Sequence, residues 1–357
     1  MLRFWAGYWA WFLALLPLLL VRQLVVSATA LVAALWTWNR RYDLLDGDLR
    51  LRFLARGRTL IAALLFGERF LALHHRDVLI DPGPRFARRT IDRHLAETGT
   101  DAVRLVAVTH FHEEHMGNLA HVIASTGAVH AASRQTLAEI AAPARLSLVR
   151  RWMIGQPQAV TAAGLVAEGW IHTRDTRLQV IDAPGHCAGH VAFYDPDHRI
   201  LFAGDAYLHD YFSSPNADVR SDEWIATLER FLTLDIAVLV GCHGVVYARD
   251  ASVPVRPFVV VRADPRELLG RKLAFLRWAR AVVAEGERRG LSYGVIEACV
   301  FAWPLRWAWG NWFNDEAIRL FSLGEFSRTH FIRSLSRTPA KVPPRFACLL
   351  RRSPPHA

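Results

Sequence analysis

Short apolar runs that stop abruptly on histidine, aspartate or glycine recur through the middle of this chain, and they constrain its fold more than any other feature. RFLALHHRDVLIDPG (69–83) reads as strand, turn, strand and an Asp-Pro-Gly turn. RLVAVTH (104–110), AVHAA (128–132), LQVIDAP (178–184), HVAFYD (190–195), RILFAGD (199–205) and IAVLVGCHG (236–244) repeat the pattern. Between them lie helical stretches such as IDRHLAETG and MGNLAHVIASTG, the second closed by Gly127. Alternation of this kind is that of a layered α/β fold, in which strand ends and the loops beyond them collect catalytic groups. Asp81, His110, His112, Glu114, His115, His186, Asp205 and His243 all fall at or just past such an end.

The segment HFHEEHMGN (110–118) is the densest of these clusters. His110 and His112 are two apart on a loop leaving a strand, so both imidazoles can point to one side. Glu114 and His115 follow as the backbone turns into a helix and can face a second point a short distance away. Imidazole nitrogen with carboxylate oxygen is the donor set that divalent borderline metals such as zinc favour.

The cluster does not stand alone. A strand-ending Asp81, the HFHEEH cluster, His186 in APGHCAGH, Asp205 in FAGD and His243 in GCHG occur in that order. This constellation resembles the metallo-β-lactamase superfamily, whose pattern is Asp, HxHxDH, His, Asp and His, over about residues 50–250. The resemblance implies a four-layer αββα sandwich and hydrolysis by a metal-activated water, with one or two divalent ions, zinc first and iron or manganese next. Carried over residue by residue, it assigns His110, His112 and His186 to one metal and Glu114, His115 and His243 to a second. Asp205 would bridge the two, Asp81 would orient a ligand, and Asp205 or Glu114 would relay the proton. The departure is Glu114, where the family has Asp. The longer side chain leaves three outcomes open: ligation by a shifted loop, a weaker or different second metal, or one filled site. Glu113 is out of phase with the motif.

Substrate choice in that superfamily sits in the loops. In the segment from Tyr207 to Asp222, Tyr207 and Tyr211 are candidate donors to a developing oxyanion. FAGDAYL and WIATLERFLTLD look like the glyoxalase-II and lactonase side, which points to thioester, lactone or carboxylester bonds. The alternatives are a nuclease of the same fold and a non-catalytic metal-binding protein. Of 43 basic residues only Lys272 and Lys341 are lysine, and no basic run is interleaved with aromatics, so the net charge of +10 argues little for nucleic acid. Cys187, Cys242, Cys299 and Cys348 have no framework spacing, which favours burial or a reducing compartment.

Residues 1–40 are expected to anchor the chain in a membrane. FWAGYWAWFLALLPLLLV (4–21) and LVVSATALVAALWTW (24–38) would span about 27 and 22 Å as helices, against a hydrocarbon core of about 30 Å. A two-pass or re-entrant hairpin, with Arg22-Gln23 between the two runs and Pro17 as a kink in the first, is the first expectation, and a single tilted span the second. A cleaved signal peptide and an apolar hairpin packed on the domain are the competing readings. Arg40 and Arg41, with Arg50, Arg52, Arg56 and Arg58 beyond, place the remainder on the cytoplasmic side. The hydrolase domain is expected over 45–255, a helical extension over 256–340 and a loose Pro-rich tail over 341–357. Trp303, Trp307, Trp309 and Trp312 in that extension would line an apolar pocket, meet the bilayer or pack internally, and the substrate is expected to be a small molecule of amphiphilic character.

Overall fold

A computed structural model of the chain describes residues 2–66, 69–208, 215–301 and 312–336. In the first half the elements are α1 (Leu2–Trp36), β1 (Arg41–Leu44), β2 (Leu49–Leu54), α2 (Gly57–Phe66), β3 (Phe70–His75) and β4 (Val78–Ile80). They continue with α3 (Arg88–Thr98), β5 (Leu105–Ala107), α4 (Glu113–Met116), α5 (Leu119–Thr126), β6 (Val129–Ala132), α6 (Arg134–Ala141), α7 (Leu148–Met153) and β7 (Leu165–Val166). The second half has β8 (Trp170–His172), β9 (Arg177–Asp182), β10 (Val191–Asp195), β11 (Ile200–Gly204), α8 (Ser221–Phe231), β12 (Val238–Gly241), β13 (Val246–Ala248) and β14 (Val260–Arg262). It closes with α9 (Pro265–Arg288), α10 (Tyr293–Phe301), α11 (Trp312–Phe321) and α12 (Arg328–Ser334).

The strands form two seven-stranded sheets, one ordered β1 to β7 and the other β14 to β8. Both are mixed: β1 to β4 pair antiparallel and β4 to β7 parallel, while β11 pairs parallel with β12 in the second sheet. Alternation within each strand explains the stacking. In β2, Leu49, Leu51 and Phe53 face the other sheet, where they meet Phe193 and Phe202, while Leu54 faces helices on the outer side. In β11, Ile200 and Phe202 point inward, and Leu201 and Ala203 turn toward α8 and α9. Strands apolar on both faces must be covered on both, so helices flank each sheet and the order is helix, sheet, sheet, helix.

The sheets run from Arg41 to Arg262, wider than the expected 45–255, because β1 pairs with β2 and β14 with β13. Nor is the C-terminal helical stretch an addition outside the sandwich. Leu268, Leu269, Leu273, Leu276, Phe331 and Ile332 pack with Leu201 and Leu239 and so build the outer layer of the second sheet. The tail beyond 336 and the tryptophans at 303, 307 and 309 lie outside the described residues, and of Trp312 only the backbone is described.

Of the two N-terminal expectations the hairpin is corrected and the single helix remains: one helix runs through Leu2–Trp36 with Pro17 inside it, and Arg22-Gln23 does not interrupt it. The most apolar 18-residue part of Trp5–Trp36 has a mean hydropathy of 2.1 and is only 17% buried, so length and composition suffice for a membrane span. Phe12 and Leu19 form a small buried cluster with Tyr8, Leu15 and Leu16.

Candidate metal centre

Each expected ligand leaves the C-terminal end of a strand or the turn after it. Asp81 follows β4, His110 and His112 follow β5, His186 sits between β9 and β10, Asp205 follows β11 and His243 follows β12. Glu114 and His115 are on α4, the single turn into which the loop after β5 winds. Both sheets therefore aim their strand ends at one place.

The imidazoles of His110, His112 and His186 converge. His112 Nδ1 lies 3.0 Å from His110 Nε2 and 3.0 Å from His186 Nε2. One ring nitrogen cannot be hydrogen-bonded to two others of its kind when its own proton is elsewhere, and here His112 Nε2 faces the Asp218 carboxylate at 3.2 Å. The spacing suits lone pairs aimed at a common cation, since four ligands at about 2.0–2.1 Å from zinc stand about 3.3 Å apart. Burial holds His110 and His186 well below the ordinary histidine value, which keeps them neutral and able to ligate.

Glu114, His115, Asp205 and His243 make the second group, with one ligand atom from each inside 4.8 Å of the others. Asp205 joins the two groups through different oxygens. Its Oδ2 is 3.4 Å from His186 Nε2 and 4.0 Å from His110 Nε2, while its Oδ1 is 3.4 Å from both His115 Nε2 and His243 Nε2. A carboxylate so split has the geometry of a bridge between two cations. Burial would raise its pKa, but His115, His243 and His186 hold it well below the usual carboxylate range.

Glu114 reaches the second group despite its extra methylene. Its Oε2 is buried and accepts no hydrogen bond among the described residues, as suits an oxygen free to ligate a cation at this point. Glu113 turns the other way. Arg150 on α7 donates to both of its oxygens, at 2.6 and 2.7 Å, and Glu113 is thereby removed from the ligand set.

Supporting hydrogen bonds orient the ligands. Asp81, at a left-handed φ of 50°, accepts from the Thr109 N–H at 2.8 Å, the Thr109 hydroxyl at 2.7 Å, His115 Nδ1–H at 3.1 Å and the Cys242 thiol at 3.1 Å. His115 Nε2 is left to face the second group. Burial would lower the His115 pKa, yet Asp205 and Asp81 together hold it well above its ordinary value, so a metal entering here must displace a proton. His190 Nε2 accepts the Asp205 N–H at 3.1 Å, and Gly204 has φ of 52° where a Cβ would meet His190 Nε2 at 2.6 Å. Only glycine fits between that imidazole and the bridging aspartate.

Two residues were invisible to motif reasoning. Asp218 fixes the tautomer of His112, and Asn216 Nδ2 stands 3.4 Å from the same nitrogen. Both lie in the loop after Tyr207, where no spacing rule singles out an acid. Tyr207 itself is placed elsewhere: its ring is buried in the layer between the second sheet and its helices, edge-on to Tyr247 with Lys272 above it. That burial removes it from the role of exposed oxyanion donor, and Tyr211 lies outside the described residues. Cys187 and Cys242 are buried and Cys299 exposed, and none of these three is in a disulfide.

Comparison with known proteins agrees with this geometry. The family model described as "Metallo-beta-lactamase superfamily" matches residues 74–243. A hydroxyacylglutathione hydrolase from Methylobacterium sp. (strain 4-46) is 31% identical over 194 residues, 52% of this chain and 66% of that protein. The acyl-coenzyme A thioesterase MBLAC2 of Gallus gallus is 30% identical over 153 residues, 36% of this chain and 53% of the relative. The matches thus span about half to two thirds of those relatives' lengths. Among solved structures, a metallo-beta-lactamase family protein from Thermus thermophilus superposes with a TM-score of 0.50 at 20% identity, over 76% of this chain and 93% of its own. A Cronobacter sakazakii metallo-beta-lactamase with a HARLDQ motif also gives 0.50, at 17% identity, over 72% and 99%. At such identity the two structures establish the fold alone.

Proposed function

We propose, from the metallo-beta-lactamase superfamily domain that residues 74–243 form, that this chain is a metal-dependent hydrolase of ester-type bonds, held at a membrane by α1 with its hydrolase domain on the cytoplasmic face. The observation that carries the hydrolase reading is the division of Asp205, one oxygen toward each ligand group. Divalent ions bound there, zinc above all, would lower the pKa of a coordinated water from near 16 toward about 7 and polarise a carbonyl.

The chain's own residues do the rest. Asp81 and Asp218 hold His115 and His112 in the tautomers that present a lone pair to the centre. Asp205 and Glu114 place carboxylate oxygens where a proton can be received and passed on. Nearly complete burial of His110, His112, His115, His186 and Asp205 excludes bulk water and strengthens each of these interactions.

Thioesters, lactones and carboxylesters are the substrate class favoured, because the curated relatives are named for hydroxyacylglutathione and acyl-coenzyme A hydrolysis. The test is elemental analysis of the purified full-length protein joined to a panel of thioester, lactone, carboxylester and phosphodiester substrates. Bound transition metal and ester hydrolysis that disappears in both His112→Ala and Asp205→Asn are expected. Hydrolysis that survives both substitutions would sink the proposal, and cleavage confined to the phosphodiester would replace it with a nuclease.

A further inference from the structure

An apolar rim stands beside the metal centre. Leu148 on α7 and Leu323 just past α11 are each 76% exposed, Leu320 is 64% exposed and Trp152 45%. They belong to one patch, since the Trp152 ring lies 6.3 Å from Phe321 and Ser147 donates to Glu325 at 3.3 Å. Scattered exposed leucines are ordinary on any surface; four large apolar side chains on two touching segments are not.

Two connections tie the rim to the site and to α1. Arg150, on the same short helix as Leu148 and Trp152, clamps Glu113, the neighbour of Glu114. Ser327 N–H donates to Pro215 O at 3.2 Å, next to Asn216 and Asp218 above His112. On the other side Arg58 of α2 lies over the Trp152 ring and donates to its carbonyl, and α2 packs against both α1 and α11. The rim is therefore continuous with the helix that is apolar enough for a bilayer.

The packing of α1 decides how the domain meets that bilayer. Trp5 lies against Gly294 of α10 and Tyr8 beside Arg328 of α12, while Leu13, Leu18, Leu20, Leu24 and Val25 stay exposed along the outer face of the helix. Residues 37–40 alone separate α1 from β1, and buried Ala33 and Ala34 pack it on the domain. A helix laid along the domain with its outer face exposed brings the neighbouring surface of the domain to the same bilayer. Arg145, three residues before Leu148, is exposed and available to anionic headgroups.

We propose that the rim formed by Leu148, Trp152, Leu320 and Leu323 docks on the anionic bilayer that holds α1, and that the substrate is an acyl ester or thioester resident in that bilayer. The acyl chain stays in lipid while its ester carbonyl reaches the metal centre, where water adds to the carbonyl carbon. The bond to the alcohol or thiol breaks, one proton of the water goes to the leaving group, and the other is released to solvent as the product acid ionises to a carboxylate. The substrate half of this inference rests on the hydrolase reading above; the docking half does not.

The experiment uses the full chain in phosphatidylcholine–phosphatidylglycerol vesicles, with Cys299→Ser and Cys348→Ser as background. A fluorophore is attached at Leu148→Cys, at Leu323→Cys and, as a control, at Asp197→Cys in the turn after β10. Nitroxide-bearing lipid should quench the first two labels and leave the third unchanged. Quenching equal at all three positions would overturn the docking. In parallel, Leu148→Asp with Leu323→Asp should slow hydrolysis of a vesicle-embedded palmitoyl thioester about tenfold or more and leave a soluble acetyl thioester unaffected. Equal loss on both substrates would overturn delivery from the bilayer. Selective quenching by a wild-type protein that cleaves no ester would instead overturn the hydrolase reading and leave the docking intact.

Discussion

Single residues decide how well this centre holds metal. The ligand histidines and Asp205 were legible in the sequence because metal coordination demands particular donors, and strand ends announce where they converge. Asp218 was not, since an acid in an irregular loop has no spacing to betray it. Its contact with His112 predicts that Asp218→Asn lowers metal affinity at the first group about 10–100-fold, leaving the fold intact. Metal titration with circular dichroism on the same sample checks this, and unchanged affinity would reduce Asp218 to a bystander. At Glu114 the sequence left three outcomes, and a carboxylate oxygen grouped with His115, Asp205 and His243 favours ligation. Glu114→Asp withdraws that oxygen by more than about an ångström on an unchanged backbone, so the second metal should weaken while the first stays. Two equivalents bound with wild-type affinity by Glu114→Ala would show that Glu114 is no ligand.

Elements lock together through polar ties that the hydrophobic pattern does not reveal. Asp77, in the β3–β4 turn of the first sheet, accepts from the Thr173 hydroxyl at 2.6 Å and the Thr176 hydroxyl at 2.7 Å, both in the β8–β9 turn of the second. Burial would raise its pKa, yet those hydroxyls and the Asp175 N–H hold it below the usual carboxylate value. A carboxyl depressed in the folded state contributes stability above its unfolded pKa of about 3.9 and loses it as pH falls through the folded value. The melting temperature of wild type should therefore fall more steeply than that of Asp77→Asn below about pH 4. Parallel melting curves against pH would contradict the tie. Strand positions themselves were readable, because runs buried on two faces are apolar throughout. The end of the second sheet was not: β14 is three residues long, with two of them exposed.

Across the whole molecule, α1 departs from the first expectation, a hairpin, and keeps the second, one continuous helix. Composition marked two apolar runs with Arg22 between them, yet hydrogen bonding along one axis carries the helix past both the arginine and Pro17. Pattern alone cannot distinguish a hairpin from a rod, since the difference lies in whether Arg22-Gln23 turns the backbone. A continuous apolar rod with most of its surface uncovered predicts that the expressed protein stays in the membrane pellet through an alkaline carbonate wash. Release into the supernatant would mean that α1 does not enter lipid. The helices after Asp264 were recognised as helical but not as a wall of the sandwich, because apolar spacing shows that a face is buried and not what buries it.

The Glu113–Arg150 pair carries a last consequence. Glu113 and Glu114 share one turn of backbone, and Arg150 shares α7 with Leu148 and Trp152, so the helix proposed to face lipid and the carboxylate proposed for the second metal are joined by one ion pair. If lipid contact shifts α7 between two positions that differ in where they hold Glu114, the two binding events are linked, and linkage is reciprocal. Any factor that vesicles then add to the affinity for the second metal, that metal adds to the affinity for vesicles.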